Sequence, residues 1–175
     1  MTLLERWTYV TKILVANIND NTLRNTSVHP IKAKDRSKNS LVISIRGTMS
    51  RHDIVTDIKS DATNIGNGVE GRGHTGMIQC ASQILLELDE QNIFDNHLAE
   101  TPNIVVTGHS LGAGVAVILA LILKTRYSNV KCFAYSLPGG LLCPKANQVA
   151  KEICTSVVVG KDMIPRLGLR IVVYH

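Results

Sequence analysis

Aromatic side chains are scarce: one tryptophan, two phenylalanines and four tyrosines, 4% of 175 residues. No basic helix or stacking platform accompanies them, so the chain does not read as a nucleic-acid binder. No apolar run approaches the roughly 20 residues that a membrane span requires. The longest, Val115 to Leu123, fits a core helix. Leu3-Leu4 is followed at once by Glu5 and Arg6, which does not read as a secretory leader. The four cysteines, Cys80, Cys132, Cys143 and Cys154, form no C-x-x-C pair, which argues against a structural zinc site. Each lies in or beside an apolar segment and reads as a small buried hydrophobe in a reducing compartment. Residues Gly66 to Gly71 spell a G-x-G-x-x-G. No strand precedes it and no hydrophobic helix starts at its third glycine, so a dinucleotide site is rejected. Asp61 to Gly76 reads instead as a mobile surface loop.

What remains is a globular composition, 45% hydrophobic and 19% charged, of a size for one domain over residues 1–175. Nineteen basic residues against 14 acidic ones give a net charge of +5, a mild excess that fits an anionic membrane surface. The stretch around which the chain is organised is Ile104 to Val117, IVVTGHSLGAGVAV. A short apolar run leads into Gly108-His109-Ser110-Leu111-Gly112, and small residues then open an apolar helix. This is a G-x-S-x-G in the strand–turn–helix setting that forms a nucleophile elbow. The turn strains the serine backbone, and Gly108 and Gly112 leave room around it. The hydroxyl is expected to stand out over the edge of a sheet, with the N-terminal N–H groups of the helix beside it.

Elsewhere, helical spacing of Leu3, Leu4, Trp7, Val10, Ile13 and Leu14 predicts a helix over residues 2–18. Strands are expected at Ile31–Lys34 and Leu41–Ile45, paired as a hairpin, followed by a short helix from Ser50 to Lys59. A long amphipathic helix is expected from Met77 to Phe94. Beyond the elbow come a strand at Val130–Tyr135, a helix at Pro144–Ile153, a strand at Ser156–Val159 and a last strand at Ile171–Val173. The alternation implies a mainly parallel sheet with helices on both faces. Active groups in such sheets gather at the carboxyl ends of the strands, and Thr48, Ser110 and Asp162 all fall just past predicted strand ends.

A serine hydroxyl needs a base to take its proton and an acid to orient that base. Asp162 follows the serine and a strand, whereas Asp53, Asp57 and Asp61 precede the serine, and Asp89 and Asp95 belong to the long helix or its end. The oxyanion donors are expected to be the backbone N–H of Leu111 and a group at Thr48. Only His175 follows Asp162, so the base is either His175 or a histidine in sequence beyond this chain, which would make the chain a fragment or a shortened form. His109 is inside the elbow but points away from Ser110, and His74 adjoins the glycine-rich loop. No metal is required by this chemistry.

These residues resemble the class 3 lipases. The resemblance rests on Leu41–Asp57 (LVISIRGTMSRHDIVTD), His74–Met77, Val105–Gly114 (VVTGHSLGAG), Lys131–Ser136, Pro138–Leu142 and Val157–Gly168 (VVVGKDMIPRLG). Within that class they are most similar to the sn-1-specific diacylglycerol lipases. The resemblance implies an α/β-hydrolase fold whose C-terminal part is missing here, with Ser110 as nucleophile, Asp162 as acid and oxyanion positions at Thr48 and Leu111. It implies cleavage of diacylglycerol to monoacylglycerol and fatty acid, association with the cytoplasmic face of a membrane, and a dependence on calcium. Leu137 stands where such proteins often have proline, and their N-terminal membrane spans have no counterpart here. Without a triad histidine, the alternative is an inactive hydrolase-fold module that binds lipid or a partner.

Overall fold

The computed structural model describes residues 12–17, 27–31, 40–47, 61–98 and 103–166. Its centre is a six-stranded sheet. The strands are β1 (Lys12–Asn17), β2 (Ser27–Ile31), β3 (Ser40–Arg46), β6 (Asn103–His109), β7 (Val130–Tyr135) and β8 (Cys154–Val157). Their spatial order is β2-β1-β3-β6-β7-β8. β1–β3, β3–β6, β6–β7 and β7–β8 pair in parallel, and only β1–β2 is antiparallel. A separate antiparallel hairpin consists of β4 (Ala62–Gly66) and β5 (Val69–His74). The helices are α1 (Thr75–Glu90), α2 (Ile93–Leu98), α3 (Leu111–Arg126) and α4 (Pro144–Ile153). This is the mainly parallel sheet with helices that the alternating pattern implies, and it agrees with the α/β-hydrolase fold that the resemblance implies.

Helix α3 occupies the middle of the core. Every residue from Leu111 to Leu123 is buried, because the segment is built only of Gly, Ala, Val, Ile and Leu and packs on β3, β6, β7, α1 and α4. A helix apolar on all sides can exist in water only where neighbours cover all sides. Its last turn changes character. Lys124 and Arg126 suit the negative end of the helix, and Arg126 Nη1 donates to Asp89 of α1 at 2.9 Å. Helix α1 is amphipathic, with Met77, Ile78, Ala81, Ile84, Leu85 and Leu88 turned to the core. The expected single helix from Met77 to Phe94 is broken at Gln91-Asn92, where Asn92 takes a positive φ of 51°. Phe94 then packs against Tyr127, with ring centroids 5.2 Å apart.

Other expectations are corrected as well. Lys12–Asn17 is a strand, although residues 2–18 carry helical spacing: Ile13-Leu14-Val15 is a short apolar run of the kind that two flanking strands can claim. The hairpin expected between Ile31–Lys34 and Leu41–Ile45 does not form, because β1 lies between β2 and β3. The Asp61–Gly76 stretch is an ordered hairpin, turned at Asn67 (φ 50°) and Gly68 (φ 81°). That pair suits a type I′ turn, and Asn-Gly is its favoured sequence. The hairpin is tied to the start of α4: Cys143 N–H donates to Arg72 O at 2.9 Å, and Arg72 N–H donates to Cys143 Sγ at 3.2 Å. β7 and α4 stand where expected. β8 comes two residues early, because its register with β7 runs from Cys132↔Cys154 to Tyr135↔Val157 and then β7 ends. Val158 and Val159 therefore run past the ladder. The segments expected as a helix at Ser50–Lys59 and a strand at Ile171–Val173 lie outside the described residues.

Candidate active site

At the carboxyl end of β6, Ser110 adopts φ 56° and ψ −125°, the strained conformation of an elbow. Its backbone is fixed from both sides. Ser110 N–H donates to Tyr135 O of β7 at 3.0 Å, and Ser110 O accepts from Ala113 N–H at 2.9 Å. The flanking glycines are required by close approach. A Cβ on Gly108 would run into the carbonyl of Gly112 and lie 2.9 Å from Ala113 N. A Cβ on Gly112 would lie 2.6 Å from Ile45 O and 2.7 Å from Gly47 N. Thus the end of β3 backs directly onto the first turn of α3.

Leu111 is the first residue of α3, and the first N–H groups of a helix have no acceptor within it. Its amide is thereby free of an intrahelical partner on the carboxyl side of the sheet. Thr48, the other expected donor, lies outside the described residues, although Gly47 just before it stands against Gly112. The expectation of an outstanding hydroxyl is corrected. Ser110 is 4% exposed, and its Oγ has no hydrogen-bond partner among the described residues. His175 also lies outside them.

Asp162 follows β8, two strands from Ser110 across β7. Its carboxylate Oδ1 accepts from Ile164 N–H at 3.0 Å. The neighbouring Ser136 side chain foremost, and then the Ile164 N–H, hold its pKa below the ordinary carboxylate value, and the charges of His109 and Arg166 act in the same direction. Its own N–H donates to Val159 O at 3.2 Å. His109 is exposed at the end of β6 and is close enough for its charge to act on Asp162. His74 is 3% exposed, and its N–H donates to Leu141 O, so it joins the hairpin to the chain before α4.

Ser136 is the residue that sequence reasoning missed. It sits at the end of β7 with φ 54°, 8% exposed, and its N–H donates to Val157 O of β8 at 2.9 Å. The available signal was a polar, non-glycine residue at a strand end just before the Leu137-Pro138-Gly139-Gly140 turn. The four cysteines divide. Cys80 and Cys132 are buried as expected, whereas Cys143 and Cys154 are half-buried. Burial pushes the Cys143 thiol up, but N–H donors from Ala146, Arg72 and Lys145 outweigh it and leave it below its ordinary value.

The family model described as lipase (class 3) matches residues 42–171. Human diacylglycerol lipase-alpha is 44% identical over 149 residues, covering 78% of this chain and 14% of the relative. Mouse diacylglycerol lipase-beta is 36% identical over 140 residues, covering 77% of this chain and 21% of the relative. The chain thus spans less than a quarter of the length of either. Among solved structures, a mono- and diacylglycerol lipase from Aspergillus oryzae superposes with a TM-score of 0.64 at 24% identity, over 86% of this chain and 55% of that one.

Proposed function

The chain belongs to the class 3 lipase family, and on that premise we propose that it carries the catalytic core of an acylglycerol ester hydrolase. The substrate class that fits is diacylglycerol, the substrate named in its 44%-identical relative, with monoacylglycerol and a fatty acid as products. Ser110 Oγ attacks the ester carbonyl as the base removes its proton. The carbonyl oxygen becomes an oxyanion facing the Leu111 N–H, with Thr48 as the second donor. Collapse expels the glycerol alkoxide, which takes the proton back from the base, and leaves the acyl group on Ser110. Water, activated by the same base, then releases the fatty acid. Asp162 orients that base and stabilises its charge. The base is His175 or a histidine outside this chain.

The observation that carries this reading is the left-handed backbone of Ser110, wedged between β6 and α3 by two glycines that have no room for a side chain. The net charge of +5 supports work at an anionic membrane surface on the cytoplasmic face, where such a substrate resides. No described helix is long and apolar enough to cross a membrane. Calcium enters only as a property to be tested by chelation. Among the described residues no group of three or more Asp, Glu, His or Cys is placed to hold a metal, and no step here is routed through one.

A second reading, an inactive module that binds lipid or a partner, is favoured by the covered Ser110 hydroxyl. Turnover separates the two. The full-length protein should release fatty acid and monoacylglycerol from diacylglycerol in mixed micelles, faster above the micellar threshold than below it, and Ser110→Ala should not. Turnover of soluble esters alone would reassign the substrate class, and a folded full-length protein with no turnover would leave the binding module.

A further inference from the structure

One row of paired residues crosses the sheet from β3 to β8. It runs Ile43, Val106, Cys132, Cys154. Residues paired across a ladder point to the same face of the sheet, so these side chains stand next to one another. The buried side chains of β7 are Val130, Cys132 and Ala134, which puts the row on the face that α3 covers. Ile43 and Val106 are aliphatic, as the inside of a parallel sheet requires. The last two members of the row are thiols.

The two thiols differ in their surroundings. Cys132 is 1% exposed, between β6 and β8. Cys154 is half-buried at the start of β8, the outermost strand on that side among those described. Cys154 therefore reaches solvent, with Cys132 directly behind it. Neither is in a disulfide. The neighbouring Cys132 side chain holds the Cys154 thiol below its ordinary value, whereas Cys154 and burial push the Cys132 thiol up. The accessible sulfur is thus the one that ionises first, and the thiolate is the reactive form. A role as small buried hydrophobe accounts for Cys132. It gives no reason for a second thiol paired with it on an edge strand. Paired positions on neighbouring strands lie about 4.8 Å apart, within the roughly 4.4–6.8 Å between Cα atoms that a disulfide spans.

We infer that Cys132 and Cys154 form a peroxide-sensitive dithiol, whose closure to a disulfide staples β8 to β7 and slows turnover. The Cys154 thiolate attacks one oxygen of hydrogen peroxide. The O–O bond breaks, and the hydroxide released takes up a proton and leaves as water. Cys154 is now a sulfenic acid. The Cys132 sulfur attacks the Cys154 sulfur, the S–O bond breaks, and the hydroxyl leaves as water with the Cys132 thiol proton. Each sulfur has given up one electron, and the peroxide has gained both. Exchange with a dithiol reductant returns the two thiols. The Cβ atoms of a disulfide stand about 3.8 Å apart, so closure draws the start of β8 inward by roughly 1 Å. β8 leads through residues 158–161 into Asp162. The effect on turnover therefore rests on the reading of Asp162 as the acid, and the formation of the bond does not.

The test treats the full-length protein with hydrogen peroxide and maps its peptides without reduction, in the wild type, in Cys132→Ala and in Cys154→Ser. The wild type should yield a peptide pair linked through Cys132 and Cys154, lighter by the two thiol hydrogens. Its kcat on diacylglycerol should fall by about 10- to 100-fold, the scale set by a misplacement of ~1 Å, and dithiothreitol should restore it. Both variants should keep their starting kcat through the same treatment. A folded wild type with no linked pair would overturn the inference, as would a fall in kcat that persists in both variants. A linked pair with unchanged kcat would overturn the switch. Wild-type activity in Asp162→Asn would overturn the route through the acid alone, because the linked pair is read by mass and not by turnover.

Discussion

Ser110 and Asp162 stand two strands apart at one rim, in opposite surroundings. Behind Ser110, every residue from Leu111 to Leu123 is buried, and the backbones of β3, β6 and α3 touch with no space for a Cβ. Around Asp162, Val158 is 47% exposed, Val159 77% and Met163 69%. Ser110 is held by packing, whereas the Asp162 side chain is held by the Ile164 N–H. Close-packed groups cannot shift without displacing many neighbours. A side chain at the end of an edge strand is placed only as well as its few donors place it. The contrast predicts where substitutions destroy the fold and where they alter only chemistry.

The largest effect should come from Gly108→Val. Its Cβ has no place to go except into the backbone of Gly112 and Ala113, so the expected loss exceeds about 4 kcal/mol and the protein should not accumulate folded. Circular dichroism of the purified variant checks this, and a native melting curve would break the description of the elbow as backbone-on-backbone packing. Next comes a pair that measures the contrast itself. Ile118→Ala, at a fully buried position in α3, should lose about 2–5 kcal/mol in urea unfolding. Val159→Ser, beyond the end of β8, should stay within about 0.5 kcal/mol of wild type. Equal losses at the two sites would erase the distinction.

The smallest effect concerns Asp162 and its pH dependence. The folded-state pKa of Asp162 is depressed, chiefly by the neighbouring Ser136 side chain. Its ionised form therefore adds stability at pH values above the unfolded carboxylate pKa of about 3.9, and that contribution disappears as pH falls through the lower folded value. The melting-temperature difference between wild type and Asp162→Asn should be constant from neutral pH down to about pH 5 and shrink below about pH 4. A difference that grew on acidification would mean that the fold disfavours the charged carboxylate.

The contrast also governs what could be read without coordinates. The elbow, β7, α4 and the core stripe of α1 were legible because their residues announce themselves locally. Gly108 and Gly112 bracket the serine, Val130–Tyr135 alternates, Pro144 opens a helix, and Ile84 and Leu88 lie one turn apart. β1 was not legible, because Ile13-Leu14-Val15 satisfies either period and only pairing to β2 and β3 decides between them. The β4–β5 hairpin was masked by its glycines: Asn67-Gly68 is a turn signal, but the surrounding Gly66, Gly71 and Gly73 suggested a loop. At the site, Ser110 and Asp162 came from motif and chain order. Ser136 could not, since what sets it apart is a positive φ at the end of β7 and a backbone N–H bonded to Val157 O across the sheet.

The account stands most directly on the identity of the nucleophile. A fluorophosphonate probe applied to the full-length protein, followed by peptide mapping, should place a single covalent adduct on Ser110, and Ser110→Ala should abolish it while leaving the melting temperature in place. Labelling that persists unchanged in Ser110→Ala, or that maps to another residue of the wild-type protein, would contradict it.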